Sequence, residues 1–109
     1  MEELKYSLII TIVNKGFSDV VMNAAKAEGA SGGTVMHARG TGELEVTKFM
    51  GFTIEPEKDL VLVLIENEKR TAIMKAIHAK AGLGTMGNGL AFSLPVQDVI
   101  GGFNRTNKE

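Results

Sequence analysis

The chain has 109 residues, with 12 basic and 13 acidic side chains, a formal net charge of −1 at pH 7 and no cysteine. This length suits one small domain, and the near-zero charge gives no electrostatic basis for binding nucleic acid or an anionic membrane surface. The lack of cysteine excludes disulfides and thiolate metal sites and is typical of a cytoplasmic protein. The start Met1-Glu2-Glu3 is acidic where a signal peptide is basic, and no apolar run is long enough for a membrane-spanning helix. We therefore expect a cytoplasmic protein with a single domain over residues 1–109 and no direct membrane insertion.

The first half of the chain predicts a strand, a helix and a second strand. Residues 5–13 have the aliphatic composition of a strand, and residues 17–28 form an amphipathic segment that predicts a helix. Ser18 is the predicted N-cap of this helix, and Gly29 ends it as a C′ glycine does. Residues 33–39 have a weaker strand pattern.

The second half repeats this order. An aliphatic strand begins at about Lys58, and Asn67 is the predicted cap of the helix that follows. Gly82 ends this helix, residues 90–94 form the fourth strand, and Pro95 indicates the end of a strand or an edge position. The apolar stripe of the helix consists of Ile73, Ile77 and Ala81.

This order predicts an α+β fold of the ferredoxin-like split βαβ-βαβ type with an antiparallel sheet. Two of the strands, at residues 8–13 and 60–65, are apolar on both faces. A sheet with one solvated face would alternate apolar and polar residues, and two helices in a compact domain cover only one face. The other face is therefore predicted to be buried by further copies of the chain, in an obligate oligomer with the sheets turned inward.

Residues 40–57 lie between the two halves and are the least regular part of the sequence. The segment begins with Gly40-Thr41-Gly42, and its apolar residues, Phe49, Met50, Phe52 and Ile54, are unusual for a solvated loop. Two interpretations stay open. The segment is either a β-hairpin arm or loop packed on a neighbouring subunit, or a mobile recognition element that becomes ordered around a ligand or target.

A glycine-rich segment covers residues 82–89, Gly-Leu-Gly-Thr-Met-Gly-Asn-Gly. It contains the pattern G-x-G-x-x-G, but a dinucleotide-binding fingerprint follows a strand and opens a helix, whereas this segment follows a helix and precedes a strand. A helix C-cap with a tight turn needs only about two of these glycines. The remainder favour backbone amides left free for an anionic or polar ligand, with Gly40-Thr41-Gly42 as a second such turn.

Two segments carry a resemblance to a known family. Residues 33–42, Gly-Thr-Val-Met-His-Ala-Arg-Gly-Thr-Gly, resemble the segment that enters the T-loop of P-II nitrogen regulatory proteins, and residues 84–92, Gly-Thr-Met-Gly-Asn-Gly-Leu-Ala-Phe, are similar to the B-loop of that family. The resemblance extends from Tyr6 to Gly101, with residues 43–57 as a short T-loop-like arm and 102–109 as a C-terminal tail. It implies a homotrimer that binds a small effector, an adenine nucleotide, between the T-loop base and the B-loop and regulates a partner protein such as a transporter or an enzyme.

Carried over position by position, the resemblance implies a set of ligand-binding residues. Ser31 corresponds to a hydroxyl residue near the adenine. The T-loop base and the B-loop contribute Arg39, Gly40, Thr41, Gly42, Gly84, Thr85, Gly87, Asn88 and Gly89.

Several charged positions of the family are replaced in this chain. Asn88 and Leu90 stand in place of an aspartate and a lysine of the B-loop, and Gly101 and Phe103 in place of two phosphate-binding arginines. Each lost charge-assisted contact typically removes about 1.5–3 kcal/mol, so we expect AMP, ADP or a cyclic nucleotide to bind better than ATP. Candidate compensating cations are Arg105, Arg39, His37 and Lys15. Because Tyr6 is the only tyrosine, uridylylation of a T-loop tyrosine is excluded.

The remaining candidates for chemistry are weaker. His37 and His78 are the only histidines, and an ordinary surface or hydrogen-bonded role is favoured over a metal site for both. No catalytic motif is present in the sequence, so we expect no enzyme. Three functional classes follow: a nucleotide-binding signalling module, a CutA-like trimer that binds cations or no ligand, and, least favoured, an enzyme on a ferredoxin-like scaffold.

Overall fold

The secondary structure of the chain contains two helices and six strands within residues 4–41, 47–49, 52–54, 56–83 and 89–102, which are the residues that the computed structural model describes. The elements in chain order are β1 (Tyr6–Asn14), α1 (Ser18–Ala27), β2 (Thr34–Arg39), β3 (Thr47–Phe49), β4 (Phe52–Ile54), β5 (Glu57–Glu66), a 3-10 helix (Asn67–Lys69), α2 (Arg70–Ala81) and β6 (Leu90–Val96).

Four of the strands form one antiparallel sheet in the order β2-β5-β1-β6. The two aliphatic strands, β1 and β5, lie in the centre and pair over their whole length, from Tyr6 opposite Glu66 to Asn14 opposite Lys58. β6 lies at an edge and contains Pro95 opposite Ser7, which agrees with the edge position predicted for this proline. The α+β, ferredoxin-like fold is confirmed.

One face of the sheet packs against both helices and forms the core. Alternate side chains of β1, and of β5 from Asp59 onward, point into it, so that every second residue there is buried while its neighbours are half-buried. Burial of each aliphatic side chain of this kind stabilises the fold by about 1.5–3 kcal/mol. The buried aliphatic residues include Ile9, Val13, Val61, Val63 and Ile65 from the strands and Val21, Ala24, Ala25, Ile73 and Ile77 from the helices.

The opposite face, which we call the open face, is apolar as well. In the registers of the sheet, Leu8, Ile10 and Ile12 of β1 lie opposite Leu64, Leu62 and Leu60 of β5, and all six are half-buried. The outer strands add residues that are more exposed: Met36 (50%), Leu90 (52%), Phe92 (38%) and Leu94 (46%). No described helix covers this face, since α1 and α2 both contribute to the core on the other side. The prediction of two apolar faces is therefore confirmed.

The predicted C-terminal ends of both helices are confirmed, but both predicted N-caps are wrong. The turn at Gly16, closed by a hydrogen bond from the Phe17 N–H to the Asn14 carbonyl (3.1 Å), places Phe17 in the cap position, so that Ser18 is already helical. Asn67 lies in the 3-10 helix, and its side chain is bound elsewhere: its amide donates to the Leu4 carbonyl (2.6 Å), and it accepts from the Ser7 hydroxyl. The ends predicted at the glycines are present, since Gly29 and Gly82 both have positive φ.

β3 and β4 form a separate two-stranded antiparallel hairpin, with Phe49 opposite Phe52. Its base is closed by a hydrogen bond from the Gly40 N–H to the Pro56 carbonyl (2.9 Å). The last residue of the predicted arm, Glu57, is the first of β5 and pairs with Arg39 in the sheet. The hairpin interpretation of the arm therefore holds for its paired residues, 47–49 and 52–54.

Candidate functional site

Ser31 lies beside a cavity at the edge of the sheet. It is exposed, in the loop between α1 and β2, and borders a cavity of about 400 Å³. The leucines that line this cavity belong to the open face: Leu8, Leu62 and Leu64. The remaining lining residues are Gly32, Gly33 and Thr34. The Ser31 cavity therefore combines two hydroxyls and several backbone groups with an apolar wall, as small-molecule sites commonly do.

Gly33 fixes the loop that carries Ser31 against the sheet. A Cβ at this position would lie 2.5 Å from the Leu62 carbonyl oxygen and 2.8 Å from the Met22 Cε. These distances are shorter than van der Waals contact, so only glycine allows the backbone to approach β5 this closely. The close approach brings Ser31 to the apolar wall of the cavity.

The other end of β2 carries Arg39, Gly40 and Thr41. There a cavity of about 680 Å³ is lined by His37, Ala38, Arg39 and Glu57. The distance along β2 from Thr34 to Arg39 is roughly 17 Å at about 3.3 Å per residue. The Ser31 cavity and the T-loop base thus lie at the two ends of one strand edge.

Gly89 lies at the same end of the sheet as Gly40 but at the opposite edge. It has φ +106°, and a Cβ there would overlap the Ile12 carbonyl oxygen, so the chain must be glycine where it enters β6. β2 and β6 are three strand spacings apart in the sheet order, roughly 14 Å at about 4.8 Å each. Within one chain the structure therefore does not bring Gly89 together with the T-loop base. The other predicted ligand-binding residues, Gly42, Gly84, Thr85, Gly87 and Asn88, lie outside the described residues.

A buried carboxylate, which the sequence did not indicate, supports the T-loop base. Asp59 is 3% exposed, accepts a hydrogen bond from the Gly16 N–H (3.1 Å) and lies 2.9 Å from the His37 Nδ1. The Gly16 hydrogen bond, and then the His37 contact, hold the pKa of Asp59 below its ordinary value of 3.8. Asp59 thereby joins β5, β2 and the turn after β1 through one charged group.

An exposed ion pair lies beside this group. The Lys15 Nζ contacts the Glu57 Oε1 at 2.7 Å, with more than half of each side chain exposed. The hydrogen bond between them raises the pKa of Lys15 and lowers that of Glu57. Two of the four candidate compensating cations, Lys15 and His37, are therefore already engaged by carboxylates.

Lys58 is a further cation that sequence reasoning missed. It is only 2% exposed, and its Nζ donates to the Asn14 Oδ1 at 2.6 Å. The contact with Asn14 could not be predicted, because the sequence does not show that the ends of β1 and β5 lie side by side.

The described residues contain no group of three or more histidine, aspartate or glutamate side chains arranged to hold a metal ion. His37 lies on β2 and His78 on α2. Within the same part of the chain, no helix is long and apolar enough to cross a membrane.

The match to a known protein family covers almost the whole chain. The family model described as "Nitrogen regulatory protein P-II" matches residues 6–107, which include both the T-loop base and the glycine-rich segment. The chain belongs to the P-II family. Membership confirms the resemblance noted in the sequence and identifies a regulatory signalling protein that binds small effectors.

The fold is also found among solved structures. The chain is similar to the crystal structure of Arabidopsis thaliana PII bound to citrate, with a TM-score of 0.69 and 24% identity over 90% of this chain and 81% of that chain. At this identity the similarity shows the fold. No curated protein gives a significant sequence match.

Proposed function

We propose that this P-II family chain is a signalling regulator that binds an adenine nucleotide between neighbouring copies of a homotrimer. The observation that carries the proposal is the Ser31 cavity, whose apolar wall is part of the open face. A ligand in this cavity would be enclosed further by whatever covers that face. The nucleotide site and the assembly therefore depend on the same surface.

The open face supports the assembly. All four strands of the main sheet contribute apolar side chains to it, and a contiguous apolar surface on this scale is rare on a monomer. Further copies of the chain, with their sheets turned inward, would remove it from water. In a closed ring, the β6 edge of one copy meets the β2 edge of the next. This arrangement would bring Gly89 of one copy to Gly40 of its neighbour.

The charges favour a ligand with one or two phosphates. Lys15 and His37 are paired with Glu57 and Asp59, and Leu90 is exposed where the family has a lysine. Two of the four candidate cations are thus engaged, and the Gly40 N–H already donates to the Pro56 carbonyl, so fewer donors are left for a triphosphate than for one or two phosphates. AMP, ADP or a cyclic nucleotide should therefore bind better than ATP.

The hairpin β3–β4 is the proposed output of the site. It extends from the T-loop base, whose closing hydrogen bond joins Gly40 to Pro56. A ligand at Gly40 would alter this base and with it the position of the hairpin. The partner is a protein, such as a transporter or an enzyme, and the chain itself acts in the cytoplasm without catalysing a reaction.

Titration calorimetry of the assembled protein with AMP, ADP, cyclic AMP and ATP tests the proposal. We expect AMP, ADP or cyclic AMP to bind more tightly than ATP. Ser31→Ala should weaken binding about threefold to tenfold, because one hydrogen bond contributes roughly 0.5–1.5 kcal/mol. Ser18→Ala on α1, outside the Ser31 cavity, is the matched control and should change nothing. Absence of heat with every nucleotide would favour the alternative of a CutA-like cation-binding or ligand-free trimer, and ATP binding tighter than ADP would contradict the charge argument.

A further inference from the structure

A third cavity lies on the helix-covered side of the sheet, at the β6 edge. Its volume is about 550 Å³, within the range of small-molecule sites. It is formed between α2 and the start of β6, and none of its lining residues belongs to the Ser31 cavity or to the cavity at the T-loop base. The lining residues are Arg70, Thr71, Met74, Lys75, His78, Leu83, Gly89, Leu90 and Ala91.

The rim of this cavity is basic. α2 contains Arg70, Lys75, His78 and Lys80 but no aspartate or glutamate, although the whole chain has a net charge of −1. Three of these four side chains line the cavity, and no acidic residue is among the described lining residues. Arg70 and His78 are eight residues apart, two turns along one face of the helix, with Lys75 beside them. All three are exposed, and within the described part of the chain none of them has an ion-pair or hydrogen-bond partner for its side chain.

The floor of the cavity is apolar. Leu83 is 7% exposed, and Ala91 of β6 packs against the core. Met74 lies between Arg70 and His78 on the same face of α2, and a methionine adapts its shape to different ligands. The cavity therefore combines a floor that favours hydrocarbon with a rim that favours negative charge.

We propose that this cavity binds a small carboxylic acid with an apolar body. The guanidinium of Arg70 has the planar, two-donor geometry that matches a carboxylate, and Lys75 and His78 add N–H donors beside it. The hydrocarbon part of the ligand lies along Met74, Leu83 and Ala91. The site shares no lining residue with the Ser31 cavity or with the cavity at the T-loop base.

Titration of the full-length, assembled protein with octanoate tests the proposal, with octylamine as the ligand control of opposite charge. Octanoate should bind, octylamine should not, and hexanoate should bind about tenfold more weakly because it buries two fewer methylene groups. Arg70→Gln and Lys75→Gln should each weaken octanoate binding roughly tenfold or more. Lys80→Gln is the matched control, since it removes a cation from the same helix outside the cavity.

The proposal is overturned if octanoate does not bind at millimolar concentration, if octylamine binds equally well, or if Lys80→Gln weakens octanoate binding as much as Arg70→Gln does. Circular dichroism of each variant confirms that its fold is intact. Saturation with AMP and the Ser31→Ala substitution should leave octanoate binding unchanged. Competition between AMP and octanoate would show that the two ligands overlap, for example at Gly89, and would overturn the proposal of a separate site.

Discussion

The carboxylate of Asp59, 96% buried as a side chain, lies 2.9 Å from the Nδ1 of His37, whose side chain is 80% exposed. The contact crosses from β5 to β2, where the two residues are direct partners in the sheet register. The same carboxylate binds the Gly16 N–H of the turn after β1. One buried charge thus ties together three segments at the end of the sheet where the hairpin leaves it.

Asp59→Asn should destabilise the fold and change its response to acid. The lowered pKa of Asp59 means that its ionised form stabilises the folded state. This contribution is fully present above the ordinary value of 3.8 and is lost as the pH falls below it, through the pKa of the folded protein. We expect Asp59→Asn to lower the free energy of unfolding at pH 7 by about 1–3 kcal/mol, and to flatten its decline between pH 5 and pH 2. Urea denaturation at fixed protein concentration measures both.

Glu57→Gln is the control for this prediction. Glu57 also has a lowered pKa, but its pair with Lys15 is exposed, and such pairs contribute little to stability. The substitution should leave the unfolding curve at pH 7 nearly unchanged. If Asp59→Asn lowered the free energy of unfolding no more than Glu57→Gln does, the contacts of Asp59 with Gly16 and His37 would not stabilise the fold.

Gly89→Ala should be far more damaging than Gly16→Ala. Both glycines have positive φ, +106° and +97°, which a side chain makes unfavourable. Only Gly89 also faces the Ile12 carbonyl oxygen, whereas a Cβ at Gly16 meets nothing within 4 Å. Gly16→Ala should therefore lower the free energy of unfolding by about 1 kcal/mol, and Gly89→Ala by more than about 2 kcal/mol, as denaturant midpoints would show. Equal losses would mean that the contact with Ile12 has no energetic consequence.

Aspartate at adjacent positions of β5 should separate folding from assembly. Val63 is fully buried beneath the helices, so Val63→Asp places a charge in the core and should abolish folding. Leu62 is half-buried on the open face, so Leu62→Asp should leave a folded chain that no longer assembles. Circular dichroism reports the fold and light scattering the mass. An assembled Leu62→Asp protein would show that the open face is not the interface.

Binding of a nucleotide should change the protection of the β3–β4 hairpin. Among the described residues, the Gly40–Pro56 hydrogen bond closes the base from which the hairpin extends. Amide hydrogen exchange at residues 47–49 and 52–54, with and without saturating AMP, measures the change. We expect slower exchange with ligand. Full protection in both states would make the hairpin a structural element and leave the proposed signal without an output.

Local sequence patterns predicted the elements with strong periodicity. The aliphatic runs of β1 and β5 indicated central strands with two apolar faces, and the spacing of Ile73 and Ile77 indicated the buried side of α2. Gly29 and Gly82 marked the helix ends because a positive φ is a local requirement. The resemblance of residues 33–42 and 84–92 to P-II proteins indicated the family, which the family match then confirmed.

The interactions that local patterns missed join residues distant in sequence. Asn67 has the side chain of a helix cap, but Ser7 and Leu4 bind it from sixty or more positions away. Asp59 and His37 meet only because the register of β2 and β5 places them opposite each other. Hydrophobic periodicity covers only a few neighbouring residues, and it indicates neither the strand register nor the turn at Gly16. The contacts of Asp59 with His37 and Gly16 were therefore not predictable from the sequence.

The mass of the unmodified protein in solution tests the central claim most directly, because both the open face and the proposed nucleotide site depend on assembly. Light scattering at micromolar concentration should give three chains of 11.7 kDa, about 35 kDa in all. A stable monomer or a dimer would contradict the account, since the open face would then be left in water or the ring of β2 and β6 edges would not close.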